Sequence, residues 1–262
     1  MKFLQAEWVD RLPSTNAAVL EQLGRGVAAD GYVLAAREQT SGRGRFDRRW
    51  VTQAGRDLAF SCVVRCGERA HLTSLPMAAA LAVVDLLEQI GLEGHTKWPN
   101  DVLVGGRKIC GILAELPNTG GAFECADTGG ERVDAKPQGP DLAVVLGVGL
   151  NVNMDAESAA TIDRPVTSIL LETGEKRPVS SVLGPLLSKL EYWCGEWRQG
   201  GFGPLKSTWQ NRCNHLGVEV QLQDSESIVR GVVEGFGDRG QLCLRLSDGT
   251  LSEIWSGDLD SD

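Results

Sequence analysis

The segment SGRGRFDRRW, residues 41–50, packs four arginines into seven positions of a chain whose formal net charge is −9. Arg43, Arg45, Arg48 and Arg49 repel one another, and Gly42 and Gly44 lack side chains that would stiffen the backbone. Such glycines let a ligand approach the main chain and expose its N–H groups. Guanidinium forks match the paired oxygens of phosphates and carboxylates. The chemistry on offer is the wrapping of a polyphosphate or an acyl phosphate. It is not that of a P-loop, because no GxxxxGK[ST] occurs and no complete GxGxxG follows a strand. Alone, the segment reads equally well as a solvated turn between strands.

Two other groups invite the same question. Lys97 and Lys108 flank a turn containing Asn100 and Asp101, where a lysine opposite a carboxylate is usually a surface ion pair. Gly147 and Gly149 interrupt the apolar run DLAVVLGVGLNVN (141–153), just ahead of Asn151. Glycine inside a strand marks close approach by another backbone or a ligand, and a tight sheet crossing fits as well.

These residues need elements to hold them. In STNAAVLEQLG, Ser14 or Thr15 opens a two-turn helix that stops at Gly24. YVLAAREQ (32–39) reads as a strand feeding the arginine segment, and DLAFSCVVR (57–65) as the strand leaving it. SLPMAAALAVVDLLEQIG (74–91) is a helix with Ser74 at its cap, Pro76 in its first turn and Gly91 as its stop. Its Asp85, Glu88 and Gln89 share one face. Pro99 ends regular structure, and Gly105-Gly106 makes a two-residue hairpin between VLV and RKICGILAEL. Residues 117–140 are Gly- and Pro-rich without periodicity, which predicts a surface insertion of disordered composition. A helix over about 179–198 carries Leu183, Leu186, Leu190, Cys194 and Trp197 as a core stripe. Past STWQNRCNHLG the pattern turns to short strands separated by QDSES, GDRG and SDG. That change predicts a small barrel and a domain boundary near 212, dividing 1–212 from 213–262.

Composition narrows the classes. With 262 residues, 42% hydrophobic and 23% charged, the chain holds one large domain or one domain with an appendage. An acidic chain is a poor bulk partner for nucleic acid, whose backbone selects a basic surface. Cys62, Cys66, Cys110, Cys125, Cys194, Cys213 and Cys243 form no CxxC pair and lie near no histidine at metal spacing. Reduced thiols and no protein metal site are expected. MKFLQAEWVD is too short and polar for a signal peptide, and no apolar run is expected to reach membrane-spanning length. A cytoplasmic protein is the expectation.

Taken together, STN (14–16), EQTSGRGRFDRRW (38–50), KWPNDVLVGGRKICGILAE (97–115) and VLGVGLNVN (145–153), in that order, resemble the biotin protein ligases. GRGR and KWPND, with a lysine seven residues after the aspartate, carry most of the likeness, which spans nearly the whole chain. The resemblance implies an α+β fold: a mixed sheet related to class II aminoacyl-tRNA synthetases, with helices on one side, plus an SH3-like C-terminal barrel. It implies two reactions. Biotin's carboxylate attacks the α-phosphate of ATP, giving biotinyl-5′-AMP and pyrophosphate. A lysine of a biotin carboxyl carrier domain then attacks the acyl carbon and releases AMP.

The resemblance also distributes roles. Ser14, Thr15, Asn16 and Gln39 match positions that hydrogen-bond biotin, Gly42 and Arg43 lie along its bicycle, and Trp50 is an apolar wall. Lys108, Gly111, Gly147 and Gly149 complete that set. Arg45 and Lys108 match residues that bind the carboxylate and α-phosphate, Arg48 adds phosphate contact, and Asn100 and Asn151 match nucleotide positions. Asp101 is the base or orienter for the acceptor lysine. Mg²⁺ arrives with ATP. Family members differ in forming a homodimer. Many carry an N-terminal DNA-binding domain, whereas here thirteen residues precede STN, so no repressor function is expected. Phe46, Asp47 and the 117–140 insertion depart from the pattern and put the closure of the arginine loop in question. Lipoate ligases and lipoyl or octanoyl transferases share the fold but lack the combined GRGR and KWPND; a binding-only sensor would lack one of Arg45, Asp101 and Lys108.

Overall fold

The computed structural model describes residues 1–46, 48–67, 69–117, 142–223 and 228–260. Strand β1 (Glu7–Leu12) leads to helix α1 (Thr15–Gly24), then β2 (Val33–Gln39), the short pair β3 (Gly42–Arg43) and β4 (Arg49–Trp50), and β5 (Leu58–Cys66). Helix α2 (Leu75–Gln89) precedes β6 (Gly94–Lys97), β7 (Asp101–Val104), β8 (Arg107–Glu115) and β9 (Leu142–Leu150). Helices α3 (Ala156–Ala159), α4 (Ile169–Thr173), α5 (Val179–Gly200) and α6 (Lys206–Arg212) follow. The chain closes with β10 (Glu219–Gln223), β11 (Ile228–Phe236), β12 (Leu242–Arg245), β13 (Leu251–Ile254) and β14 (Asp258–Asp260).

The main sheet runs β1-β2-β5-β9-β8-β7-β6, parallel only between β1 and β2. Strand alternation sorts its side chains into two layers. Val33, Phe60, Cys62, Val64, Leu146 and Val148 face α2 and α5 in the main core. Leu34, Val63 and Val145 face the other way and cover Val19 of α1 in a second, smaller core. The helices therefore do not all lie on one side, as the resemblance implied. The long pair covers one face, and α1 sits on the other, where it leaves the centre of the sheet open for a site. Helix α1 is also longer than the two turns expected, at ten residues. Strand β1 was not anticipated; its burial pattern shows no alternation, because it is a parallel edge strand.

Helix α2 corrects another expectation. His71–Gln89 runs 19 residues with mean hydropathy 1.3, so one stretch does reach membrane-spanning length and apolarity. Most of that window, 72%, is buried inside the fold. A helix pressed between a sheet and α5 is apolar around most of its circumference for that reason. Its polar stripe behaves as expected: Asp85 accepts from Trp193 Nε1 at 2.7 Å and from Arg212 at 2.7 Å. Ser74 flanks the helix, yet its hydroxyl donates to His71 O at 2.9 Å instead of capping.

The Gly105-Gly106 hairpin is present, with φ of +54° and +75°, the two left-handed residues that a type I′ turn requires. The last five strands form one antiparallel sheet in the order β13-β12-β11-β10-β14, open among the described residues. The main core continues into it without a break: Phe236 of β11 meets Phe202 at 6.3 Å and Trp209 of α6 at 6.1 Å between ring centroids. Cys62, Cys66, Cys110, Cys194, Cys213 and Cys243 are free thiols. Cys125 and most of the 117–140 segment lie outside the described residues, as does Asp47.

Candidate active site

On the α1 face of the sheet a cleft of about 1000 Å³, counting space open to solvent, gathers nearly every residue singled out above. Ser14, Thr15, Asn16, Gln39, Arg43, Arg45, Arg48, Trp50, Asn100, Asp101, Lys108, Gly111, Gly147, Gly149 and Asn151 all line it. Gly42 does not; a Cβ there would lie 2.5 Å from the Trp50 carbonyl, so this glycine serves the close pairing of β3 with β4.

The floor is built by register. Gly111 of β8 lies opposite Gly149 of β9, and Gly147 lies opposite Ser61 of β5. The side chains that use the space so created belong to the chain itself. A Cβ at Gly149 would stand 2.3 Å from the Trp50 indole, and one at Gly147 would stand 2.2 Å from Asn16 Oδ1. Trp50 thus lies flat on the floor as an apolar wall. At the α1 end the floor is polar. Thr15 N and Oγ1 both donate to Gln39 Oε1, at 2.7 and 3.0 Å, and Ser14 caps the helix.

Lys108 reaches the cleft because of an irregularity. Between β7 and β8 the pairing slips, so that Val102 faces Cys110 while Leu103 faces Lys108, leaving Ile109 as an extra residue. In a regular strand, positions 108 and 111 point to opposite faces. The bulge turns Lys108 onto the face of Gly111, where its Nζ would meet a Gly111 Cβ at 3.2 Å. Ile109 and Cys110 both stay in the core. The displaced backbone is satisfied by the 165–167 loop: Lys108 N donates to Pro165 O and Thr167 N to Lys108 O. Lys108 Nζ pairs with Asp101 Oδ1 at 2.6 Å and lies 5.8 Å from the Trp50 ring centre.

The arginine segment is not a solvated turn. Arg43 pairs with buried Glu115 at 2.8 Å. Arg45 is only 12% exposed; it donates to Asn100 Oδ1 at 3.3 Å, Ser256 Oγ at 3.1 Å and Gly257 O at 3.2 Å. Arg48 pairs with Asp258 of β14. Phe46 takes φ of +53° at the hairpin tip and slides its ring beneath the guanidinium carbons of Arg45 and Arg48, at 4.7 and 5.9 Å from its centre. The departure at 46 therefore buttresses the basic loop. Oriented cations beside a polar floor can hold a small molecule by its neutral end and an anion at its charged end. A thiol nucleophile is not part of this: burial pushes Cys110 and Cys62 far above the ordinary thiol range.

Sequence reasoning did not single out Ser61, Glu115, Asp258, Ile162, Arg164 or Val166. The last four line the cleft, and Glu115 reaches it through Arg43 and Asn16. The one available signal was Glu115 itself, a lone acid closing the apolar strand RKICGILAE.

Fold and cleft define a protein of the Biotin/lipoate A/B protein ligase family, whose model matches residues 8–124. The chain is 34% identical over 256 residues to the biotin–[acetyl-CoA-carboxylase] ligase of Mycobacterium tuberculosis, covering 94% of this chain and 85% of that one. It is 32% identical over 242 residues to the ligase of the same name from Paracoccus denitrificans, covering 90% and 92%. Among solved structures, the biotin protein ligase from Aquifex aeolicus in complex with biotin and ATP superimposes with a TM-score of 0.78 at 26% identity, over 98% of each chain. Within the wider family the chain belongs to the biotin protein ligases.

Proposed function

We propose that this cleft joins biotin to AMP and then passes the biotinyl group to a lysine of a biotin carboxyl carrier domain. The observation that carries the reading is the division of one cleft into a neutral end and a cationic end. Thr15, Gln39 and the Trp50 face suit a bicycle with a polar urea edge, since an unmet buried polar group costs about 1–3 kcal/mol. Arg45, Arg48 and Lys108 line the other end, where a carboxylate and an α-phosphate must meet. Two anions approach only against fixed positive charge, so this electrostatic contribution dominates the first step.

In the first reaction the biotin carboxylate attacks the α-phosphate; Lys108 and Arg45 hold the two anions, Arg48 meets the leaving phosphates, and Asn100 and Asn151 contact the nucleotide. Asn151 is anchored for that task, its Nδ2 donating to Thr167 O at 2.9 Å. ATP enters as its Mg²⁺ complex; no group of three or more His, Cys, Asp or Glu side chains suited to a metal occurs among the described residues. In the second reaction the acceptor amine attacks the acyl carbon and AMP leaves. An ordinary lysine, with pKa about 10.4, must first lose a proton, and Asp101 beside Lys108 takes or orients it.

On this reading residues 1–212 form a catalytic domain related to class II synthetases, residues 213–262 an SH3-like one, and the enzyme works in the cytoplasm. The test is incubation with biotin, MgATP and a carrier domain, read by intact mass and by biotin-dependent ATP–pyrophosphate exchange. A carrier that gains one biotinyl group supports the proposal. Exchange with lipoate and not with biotin would move the chain to the lipoate branch, which its relatives at 32–34% identity do not favour.

A further inference from the structure

Glu115 is assigned to neither reaction, yet it ties together two segments that frame the cleft. Its side chain is 2% exposed. It accepts from Arg43 Nη2 at 2.8 Å on Oε1 and 3.0 Å on Oε2, and from Asn16 Nδ2 at 2.6 Å on Oε2. The Asn16 amide nitrogen also donates to Leu113 O at 3.3 Å. Both of these oxygens can only accept, so the amide has one orientation.

A chain of consequences follows. Asn16 Oδ1 must face Ser61, whose hydroxyl donates to it at 2.5 Å. Ser61 has a single proton, so its 2.7 Å contact with Thr15 Oγ1 calls on Thr15 as donor. The competing acceptor for the Thr15 proton is Gln39 Oε1 at 3.0 Å, itself held in place by Thr15 N–H at 2.7 Å. Either way the proton stays within the protein. Toward the cleft Thr15 Oγ1 presents lone pairs.

We propose that Glu115 is a positioning residue that determines specificity: through Asn16 and Ser61 its carboxylate fixes Thr15 as a hydrogen-bond acceptor, and through Arg43 it pins the arginine hairpin over the same end of the cleft. The inference rests on the reading that biotin's urea lies there. A ring N–H then finds its acceptor, whereas an oxygen in its place sets lone pair against lone pair. Burying this carboxylate is tolerable because Arg43 neutralises it, and Gly147 leaves the room that Asn16 needs to reach it.

Glu115→Gln keeps the shape, removes the charge and puts an amide donor where only acceptors stood. Asn16 then keeps only its longer bond to Leu113 O at 3.3 Å, so its amide can turn over and Ser61 can turn its proton toward Thr15. Biotin KM should rise about ten- to a hundredfold, the loss of one charge-assisted hydrogen bond, while ATP KM and kcat stay within about threefold. A second readout is the preference for biotin over its cyclic carbamate analogue, in which one ureido N–H is replaced by oxygen. Wild type should prefer the urea by at least about tenfold, and Glu115→Gln should largely erase the preference. Arg43→Gln frees the hairpin but leaves the Asn16 orientation, so it should raise biotin KM and retain the preference. If Glu115→Gln does not fold, Asn16→Ala cuts the same relay and should erase the preference by itself. An unchanged preference in a folded variant of either kind overturns the proposal. Absence of biotin-dependent exchange in wild type would instead remove the functional reading beneath it.

Discussion

Replacing Lys108 by methionine keeps most of the side chain's length and its packing beside Trp50 and removes only the ammonium group. Lys108 Nζ is 2.6 Å from Asp101 Oδ1, with the two side chains 17% and 19% exposed, so solvent screens the pair only in part. Leaving Asp101 without its partner should cost about 1–3 kcal/mol of folding stability. Pairing the change with Asp101→Asn removes the orphaned charge and should restore most of that loss. Adenylation responds differently. Removing one preorganised donor from a developing oxyanion slows reaction by about two to three orders of magnitude, about 2.7–4 kcal/mol of barrier. The double variant should therefore melt near wild type yet remain at least about a hundredfold slow. Thermal melts alongside biotin-dependent ATP–pyrophosphate exchange separate the two effects. A folded Lys108→Met protein exchanging within about threefold of wild type would refute the phosphate role. Recovery of exchange together with stability in the double variant would make Lys108 structural.

Arg45→Gly should still form biotinyl-AMP but lose it about one to two orders of magnitude faster, because its guanidinium no longer clamps the acyl phosphate or reaches Ser256 and Gly257. Serum albumin mixed with this variant, biotin and MgATP should become biotinylated; clean albumin despite intermediate formation would reject the clamp. Burial pushes the Asp57 carboxyl from 3.8 up to about 6, so its contribution to stability is full below about pH 4 and is lost as pH rises through 6. Asp57 also accepts from Val152 N at 3.0 Å, so Asp57→Asn should lose part of that bonding yet remove the fall in stability as pH rises from 4 through 6; melting curves of variant and wild type that run parallel across that range would contradict this. Gly149→Ala forces the indole of Trp50 off the floor, since its Cβ would lie 2.3 Å away, and should raise biotin KM by at least about tenfold with ATP KM unchanged. Wild-type biotin KM in that variant would mean that Trp50 does not form the wall.

Local chemistry was legible in the chain because it resides in neighbouring residues. The Gly105-Gly106 turn needs two left-handed positions, and the sequence supplies two glycines. The helix over 179–198 shows its buried stripe at a spacing set by helical geometry alone. The motif segments that line the cleft are likewise short runs whose residue types already suit anions and a polar small molecule. β1 shows no alternation because it is an edge strand whose half-buried Trp8 packs on one core while Val9 and Leu12 pack on the other.

What tertiary structure decided was orientation and partnership across long separations. No local pattern marks the extra residue at Ile109, yet that bulge alone turns Lys108 toward Gly111 and not into the core. Whether Gly147 and Gly149 open space for a ligand, a backbone or a side chain depends on which strand lies opposite; here the space goes to Asn16 and Trp50. Ser61 and Glu115 read as members of apolar strands until register sets them beside Asn16, 45 and 99 residues away in sequence. The four arginines announce an appetite for anions, but only folding brings Ser256 and Asp258 from the far end of the chain to meet Arg45 and Arg48. Residue type is a property of the chain, whereas a face, a register and a distant partner exist only once the chain has closed on itself.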